Sequence, residues 1–199
     1  MKFLAFADAH LNKEALNNII THSKEVDFLI CAGDISWFGV GLEKVLQQLE
    51  RKLEKPMYII PGNHEEEKKL EVTCKKFSKI INKHKKTLRI DNLVFFFWGG
   101  GGFEPFDERL ETETKKFKQT LKKDDKVILV THGPPYNTEL DYLEWASHVG
   151  CRSQRKFLNE IKPILHICGH LHENFNKQQV YNKRTLIINP GPAGTILEL

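Results

Sequence analysis

Tyr58-Ile59-Ile60-Pro61-Gly62-Asn63-His64-Glu65 begins as a short apolar run and ends in side chains that bind metals or transfer protons. The run has the length and branching of a strand, and the Pro-Gly pair stops it. The same arrangement recurs along the chain. Residues 3–7 run into Asp8-Ala9-His10, 28–32 into Gly33-Asp34, 127–131 into His132-Gly133-Pro134-Pro135, and 164–168 into Gly169-His170-Leu171-His172. In open α/β sheets the loops at the carboxyl ends of strands share one crevice, so side chains distant in sequence can converge. These strand ends read as one site.

Working outward, strands are expected at 2–7, 27–31, 56–60, 89–90, 93–98, 126–131, 164–167, 180–181, 185–188 and 195–197. Helices are expected at 15–23, 40–53, 66–82, 108–121 and 154–161, where apolar residues recur three and four apart, as in Val45, Leu46, Leu49 and Leu53. That alternation is an α/β layered fold. The hairpin predicted around Asn182-Lys183 departs from the strand-helix repeat, so the sheet is mixed or there are two sheets.

The 199 residues, 40% hydrophobic and 28% charged, suit one domain over 1–199, since single domains commonly run to roughly 100–200 residues. A net charge of +4 is too mild and too evenly spread to announce nucleic acid. The lysines at 68–69, 75–76 and 83–86 are expected on polar helical positions facing solvent. Cys31, Cys74, Cys151 and Cys168 lie far apart, without a metal-binding pair or a disulfide framework, which fits a reducing, cytoplasmic setting. No signal peptide or membrane span is expected, because the apolar start is cut short at Asp8 and no run nears roughly 18 apolar residues.

Two Asp, one Asn and several His form an oxygen-and-nitrogen donor set suited to Mn²⁺, Fe, Co²⁺, Ni²⁺ or Zn²⁺. They exceed what one ion takes and fit two ions sharing a carboxylate. Asp34, alone after its glycine, is the natural bridge.

Taken together, Asp8-x-His10, Gly33-Asp34, Gly62-Asn63-His64-Glu65, His132 and Gly169-His170-x-His172 resemble the signature of the calcineurin-like metallophosphoesterase superfamily. Thr131-His132-Gly133-Pro134-Pro135, His148-Val149-Gly150 and Gly169-His170-Leu171-His172-Glu173 are most similar to its Icc-related predicted phosphoesterases. The resemblance implies a four-layer α-β-β-α sandwich, two mixed sheets flanked by helices. It also implies two divalent transition-metal ions, Mn²⁺ first, with Fe, Zn, Co or Ni as alternatives. Asp8, His10 and His172 would hold one, Asn63, His132 and His170 the other, and Asp34 both. His64 would be catalytic, stabilising developing charge or protonating the leaving oxygen. The implied reaction is hydrolysis of a small phosphodiester by in-line attack of a hydroxide shared by the ions. The alternatives are a phosphomonoesterase and a non-catalytic scaffold that keeps the fold. The expected partner is a small phosphate ester, not nucleic acid or a membrane; the oligomeric state stays open.

Two departures stand out. Ile35-Ser36-Trp37 follows Asp34 where the protein Ser/Thr phosphatases carry Asp-Arg-Gly, so their phosphate-gripping arginine has no counterpart. Glu65 stands where many members carry Asp, so a carboxylate orienting His64 would be displaced or come from elsewhere. For residues 99–102, His148 and Arg152, substrate contact and local structural roles both remain open. His166 reads as a core histidine, His22 and His84 as surface ones, and Trp37, Trp98 and Trp145 as packing residues, Trp37 with the option of lining the pocket.

Overall fold

Phe3 and Ala5 of the first strand enter one buried cluster while Leu4 and Phe6, alternating with them, enter another. A strand covered on both faces has no reason to alternate apolar with polar residues, which accounts for the continuous apolar runs. The computed structural model describes residues 1–199. In chain order the strands are β1 (Lys2–Phe6), β2 (Phe28–Cys31), β3 (Met57–Ile59), β4 (Ile80–Asn82), β5 (Lys86–Ile90), β6 (Leu93–Trp98), β7 (Lys126–Thr131), β8 (Tyr142–Leu143), β9 (Ser147–His148), β10 (Leu165–Ile167), β11 (Gln178–Tyr181), β12 (Thr185–Ile188) and β13 (Thr195–Glu198). The helices are α1 (Lys13–His22), α2 (Leu42–Lys52), α3 (Glu67–Cys74), α4 (Glu108–Thr120) and α5 (Arg152–Ile161).

One sheet has the order β13-β1-β2-β3-β4 and the other β11-β12-β10-β7-β6-β5. Both are mixed: β13, β11 and β5 run antiparallel to their neighbours and the remaining pairs are parallel. Phe3, Phe28 and Ile30 from the first sheet meet Phe95, Phe97, Ile128 and Ile167 from the second in a central layer. The opposite faces are covered by α1, α2 and α3, through Leu16, Leu46 and Leu70, and by α4 and α5, through Phe117 and Phe157. The result is the expected four-layer sandwich, and it turns the carboxyl ends of β1, β2, β3, β7 and β10 to a common region.

Local caps explain where the helices begin. Asn12 and Asp107 accept from Ala15 N and Leu110 N at the starts of α1 and α4, satisfying amides that have no partner within the helix.

The expected helix over 66–82 is the largest misreading. Only Glu67–Cys74 is helical, and the chain then turns to lay β4 parallel to β3 at the sheet edge. The Glu50 carboxylate accepts from Ser78 N, Ser78 Oγ and Lys79 N at 2.7–3.2 Å, drawing the segment away from helical geometry. Lys83, Lys85 and Lys86 consequently occupy a turn and the start of β5, which is longer than the expected 89–90. His84 is buried rather than superficial, and Trp145 is exposed rather than packed. The small β8–β9 hairpin was not expected.

Candidate metal centre

The loops after β1 and β2 are laced together: Asp8 N donates to Gly33 O, His10 N to Asp34 O and Leu11 N to Ile35 O, each at 3.0 Å. This lacing holds residues in the left-handed region, with φ of 57° at Asp8, 41° at His10 and 53° at Asp34; His170 adopts 72°. Such values are uncommon outside glycine and cluster where surroundings over-determine a strained backbone, often at functional sites. Two motif glycines are required by close approach. A Cβ on Gly62 would lie 2.0 Å from Asp34 Oδ1, and one on Gly169 would lie 2.5 Å from Asp8 Oδ2.

Each aspartate spends one oxygen on backbone and leaves the other for the centre. Asp8 Oδ2 accepts from His170 N at 2.9 Å, and Asp34 Oδ1 accepts from His64 N at 2.8 Å. Asp34 Oδ2 then lies 3.2 Å from His132 Nε2, 3.7 Å from His10 Nε2 and 3.8 Å from His64 Nε2. Asn63 Oδ1 lies 2.8 Å from both His132 Nε2 and His170 Nδ1. The candidate donor atoms of Asp8, His10 and His172 fall within 4.8 Å of one another, as do those of Asp34, His132 and His170, and those of His10, Asp34 and His64. Every residue expected at the centre is therefore brought to it, and Asp34 stands between the two halves.

The donor set fits metal ions. Nδ1 of His10 and of His132 lie 3.0 and 2.9 Å from the Ser36 and Ala32 carbonyl oxygens, which accept only, so each ring turns Nε2 inward. Asp8 Oδ1, His10 Nε2 and His170 Nε2 are buried without a hydrogen-bond partner, a costly arrangement unless something else completes them. Burial pushes the Asp8 carboxyl up to about 6. Burial lowers His10, and, with the neighbouring His132 charge, brings His170 down to about 4. Burial also opposes charge on His132, but hydrogen bonding to Asp34 and its negative charge outweigh it and pull His132 up to about 9. Asp34 is itself held low: burial raises it, but the hydrogen bonds from His132 and His64 and their charges together outweigh that burial. A bound cation would replace the shared proton between Asp34 and His132.

Glu65 does not orient His64. Its Oε2 accepts from Asp34 N at 2.8 Å and Gly62 N at 3.0 Å, and its Oε1 from Ser36 N at 2.9 Å and Ser36 Oγ at 2.7 Å. It clamps the Asp34 loop to the Gly62 turn, a role that the sequence motif did not disclose. His64 Nδ1 is buried without a partner, and its ring lies among His10, Trp37 and Phe38 at 5.0, 5.0 and 4.2 Å.

The open positions separate. Gly102 borders the centre, since a Cβ there would lie 3.7 Å from Asn63 and His170. His148 Nδ1 pairs at 2.8 Å with Asp141, a fully buried carboxylate that also accepts from the amides of Asn137, Thr138 and Gly150. Arg152 stacks on Tyr136 with 3.7 Å from guanidinium carbon to ring centroid. His166 is a core residue, 2.7 Å from Thr131 Oγ1.

Residues 1–174 match the calcineurin-like phosphoesterase family, and the chain belongs to it. It is 30% identical over 201 residues to an uncharacterized protein of Methanocaldococcus jannaschii, covering 96% of this chain and 88% of that one. A protein of Arcobacter nitrofigilis, named a probable glycerophosphodiester phosphodiesterase, is 26% identical over 186 residues, covering 85% and 66%. Among solved structures, the protein TT1561 of Thermus thermophilus superposes with a TM-score of 0.71 at 14% identity over 96% of this chain and 90% of that one. A dimetal phosphatase from Danio rerio gives 0.62 at 11% identity over 95% and 86%. These superpositions establish the fold. The family is one of phosphoester hydrolases that use divalent metal ions.

Proposed function

We propose that the protein hydrolyses small phosphodiesters at a binuclear centre, with Asp8, His10 and His172 holding one ion, Asn63, His132 and His170 the second, and Asp34 shared. The observation that carries this reading is the placement of Asp34 Oδ2 within 3.7 Å of His10 Nε2 and 3.2 Å of His132 Nε2, one histidine from each half. When bound, the ions supply Lewis-acid activation of water and neutralise charge on the phosphoryl oxygens.

The chain's own groups do the rest. Ser36 O and Ala32 O fix the ring orientations of His10 and His132, and Glu65 fixes the loop that carries Asp34. His64 lies 3.8 Å from Asp34 Oδ2, close enough to donate a proton or a hydrogen bond to an ester oxygen at the centre. We assign it that catalytic role. Mn²⁺ is our first choice of ion for this mixed oxygen and imidazole set. Four free, buried thiols fit the reducing, cytoplasmic setting inferred from the sequence.

The relative named as a glycerophosphodiester phosphodiesterase favours diester over monoester cleavage. A scaffold that had lost catalysis would have no need of His64 beside a full donor set. The test is hydrolysis of bis-p-nitrophenyl phosphate beside p-nitrophenyl phosphate by protein stripped of metal and reloaded with Mn²⁺. Metal-restored cleavage, faster on the diester, is expected; a monoester preference would transfer the protein to the phosphomonoesterases. His64→Ala should retain bound Mn²⁺ while losing at least about a hundredfold in kcat, the usual contribution of a general acid. Unchanged turnover would remove the role assigned to His64.

A further inference from the structure

Three aromatic rings stand at the rim of the centre, each against a different histidine. Trp37 lies flat on His10, with centroids 3.8 Å apart and planes at 19°. Phe38 meets His64 at 4.2 Å and 61°, and Phe103 meets His170 at 4.7 Å and 64°. All three are open to solvent, with exposures of 45%, 75% and 56%, and none belongs to the three buried clusters.

Their backbones are shaped to present them. Phe38 takes φ 49°, an outlier for a bulky residue, within a turn closed by Val40 N donating to Trp37 O at 2.8 Å. Phe103 follows Gly100 and Gly101, whose φ values are 77° and 81°, and Gly102, where the loop passes within van der Waals reach of Asn63 and His170. Strain retained at an exposed residue that adds nothing to the core points to a task at the site. Lys69, beside this turn, has its Nζ engaged with Gly39 O at 3.2 Å.

We propose that Phe38 and Phe103 form a ring-binding subsite flanking the metal centre, so that the preferred substrates are phosphoesters bearing a planar aromatic group, aryl or nucleobase. This rests on the reading of the centre given above. Because Phe38 and Phe103 lie against His64 and His170, an ester arm directed from the centre past either histidine would meet one of these rings. A glycerol-like arm would meet phenyl faces that satisfy none of its hydroxyls, whereas a planar ring recovers stacking on each phenyl. The subsite therefore separates this protein in substrate class from the glycerophosphodiester-cleaving name carried by its Arcobacter relative.

The experiment is calorimetric binding of three phosphomonoesters, which are also diester-cleavage products, to the full-length chain loaded with Mn²⁺: phenyl phosphate, adenosine 5′-monophosphate and sn-glycerol 3-phosphate. Both ring-bearing ligands should bind at least about tenfold more tightly than glycerol 3-phosphate, within the range of one stacked ring. The Phe38→Ala/Phe103→Ala double variant should bring that ratio close to one. Both side chains are exposed, so truncation leaves the cores intact, and unchanged circular dichroism would verify this. Equal affinities for phenyl phosphate and the nucleotide identify a general aryl subsite; a further tenfold for the nucleotide identifies the nucleobase. Glycerol 3-phosphate binding as tightly as the others, or a preference surviving in the double variant, overturns the proposal. Weak binding of all three while bis-p-nitrophenyl phosphate is still cleaved overturns the subsite alone; absence of that cleavage overturns the reading of the centre beneath it.

Discussion

Replacing Glu65 by Gln keeps its size and removes its charge, at a position that is buried and accepts four hydrogen bonds. The Gln amide nitrogen must replace one of the two oxygens. At Oε2 it would face the amides of both Asp34 and Gly62; at Oε1 it would face Ser36 N, while the Ser36 hydroxyl could rotate to accept from it. The second orientation is cheaper and leaves one buried amide unsatisfied, costing about 1–3 kcal/mol. The bonds to Asp34 N and Gly62 N survive but lose charge assistance, about 1 kcal/mol each. A neutral side chain is easier to bury, which offsets part of this, so the net loss is about 2–4 kcal/mol. For a chain of this size that lowers Tm by roughly 10 °C. Scanning calorimetry of the metal-free protein measures it directly. Competitive titration with a chelator should also show Mn²⁺ held about 10–100-fold more weakly, the effect of losing an outer contact that positions a ligand. A Tm change below about 2 °C would refute the clamp; a full Tm loss with unchanged Mn²⁺ affinity would show that Glu65 braces the fold without positioning Asp34.

Asp34→Asn should reduce bound Mn²⁺ below two equivalents by elemental analysis, because a neutral amide is a poor shared ligand; two full equivalents would contradict the bridging role. Gly62→Ala places a methyl 2.0 Å from Asp34 Oδ1 and should lower Tm as well as Mn²⁺ affinity; wild-type values for both would mean that the turn yields freely. Burial lowers His84 to about 4 from an ordinary value of 6.5. The unfolded chain takes up that proton first as pH falls, so the contribution is intact above about pH 6.5, declines to about pH 4 and then levels, at a cost of about 3 kcal/mol. His84→Gln, whose carbonyl can still accept from Gly99 N, should flatten urea-derived stability between pH 6.5 and 4 relative to the parent; parallel curves would contradict this.

The layered fold and the convergence of the expected site residues were legible because each of those residues follows an apolar run, and because β1, β2 and β7 are buried on both faces. Local pattern suffices for such elements. It fails where a distant partner decides. β4 and the shortened α3 depend on Glu50, a residue of α2, and the burial of His84 depends on Gly99 N, 2.8 Å from its Nδ1. Glu65 was visible as a variant of its motif, but its four donors become apparent only when the loops after β2 and β3 are in place. Trp37 was open to a place at the pocket from its position after Asp34, but Phe38 and Phe103 carry no motif at all; their proximity to histidines follows from turns with positive φ at Phe38, Gly39, Gly100 and Gly101, which bulky side chains do not announce.

The two sheets contribute different parts of the centre. The first supplies Asp8, His10, Asp34 and Asn63 from the ends of β1, β2 and β3, and the second supplies His132, His170 and His172 from the ends of β7 and β10. An ion held by the proposed ligands of either half would span that seam and would act as a rivet between half-structures as well as a reagent. No segment from one sheet can assemble the whole donor set, so ion binding there would be coupled to the docking of the two sheets. By linkage, free ion at a hundredfold above its dissociation constant adds about 2.7 kcal/mol to the folded state. With ions bound, slippage of one layer over the other would be opposed by coordination at its rim as well as by the aromatic packing at its centre.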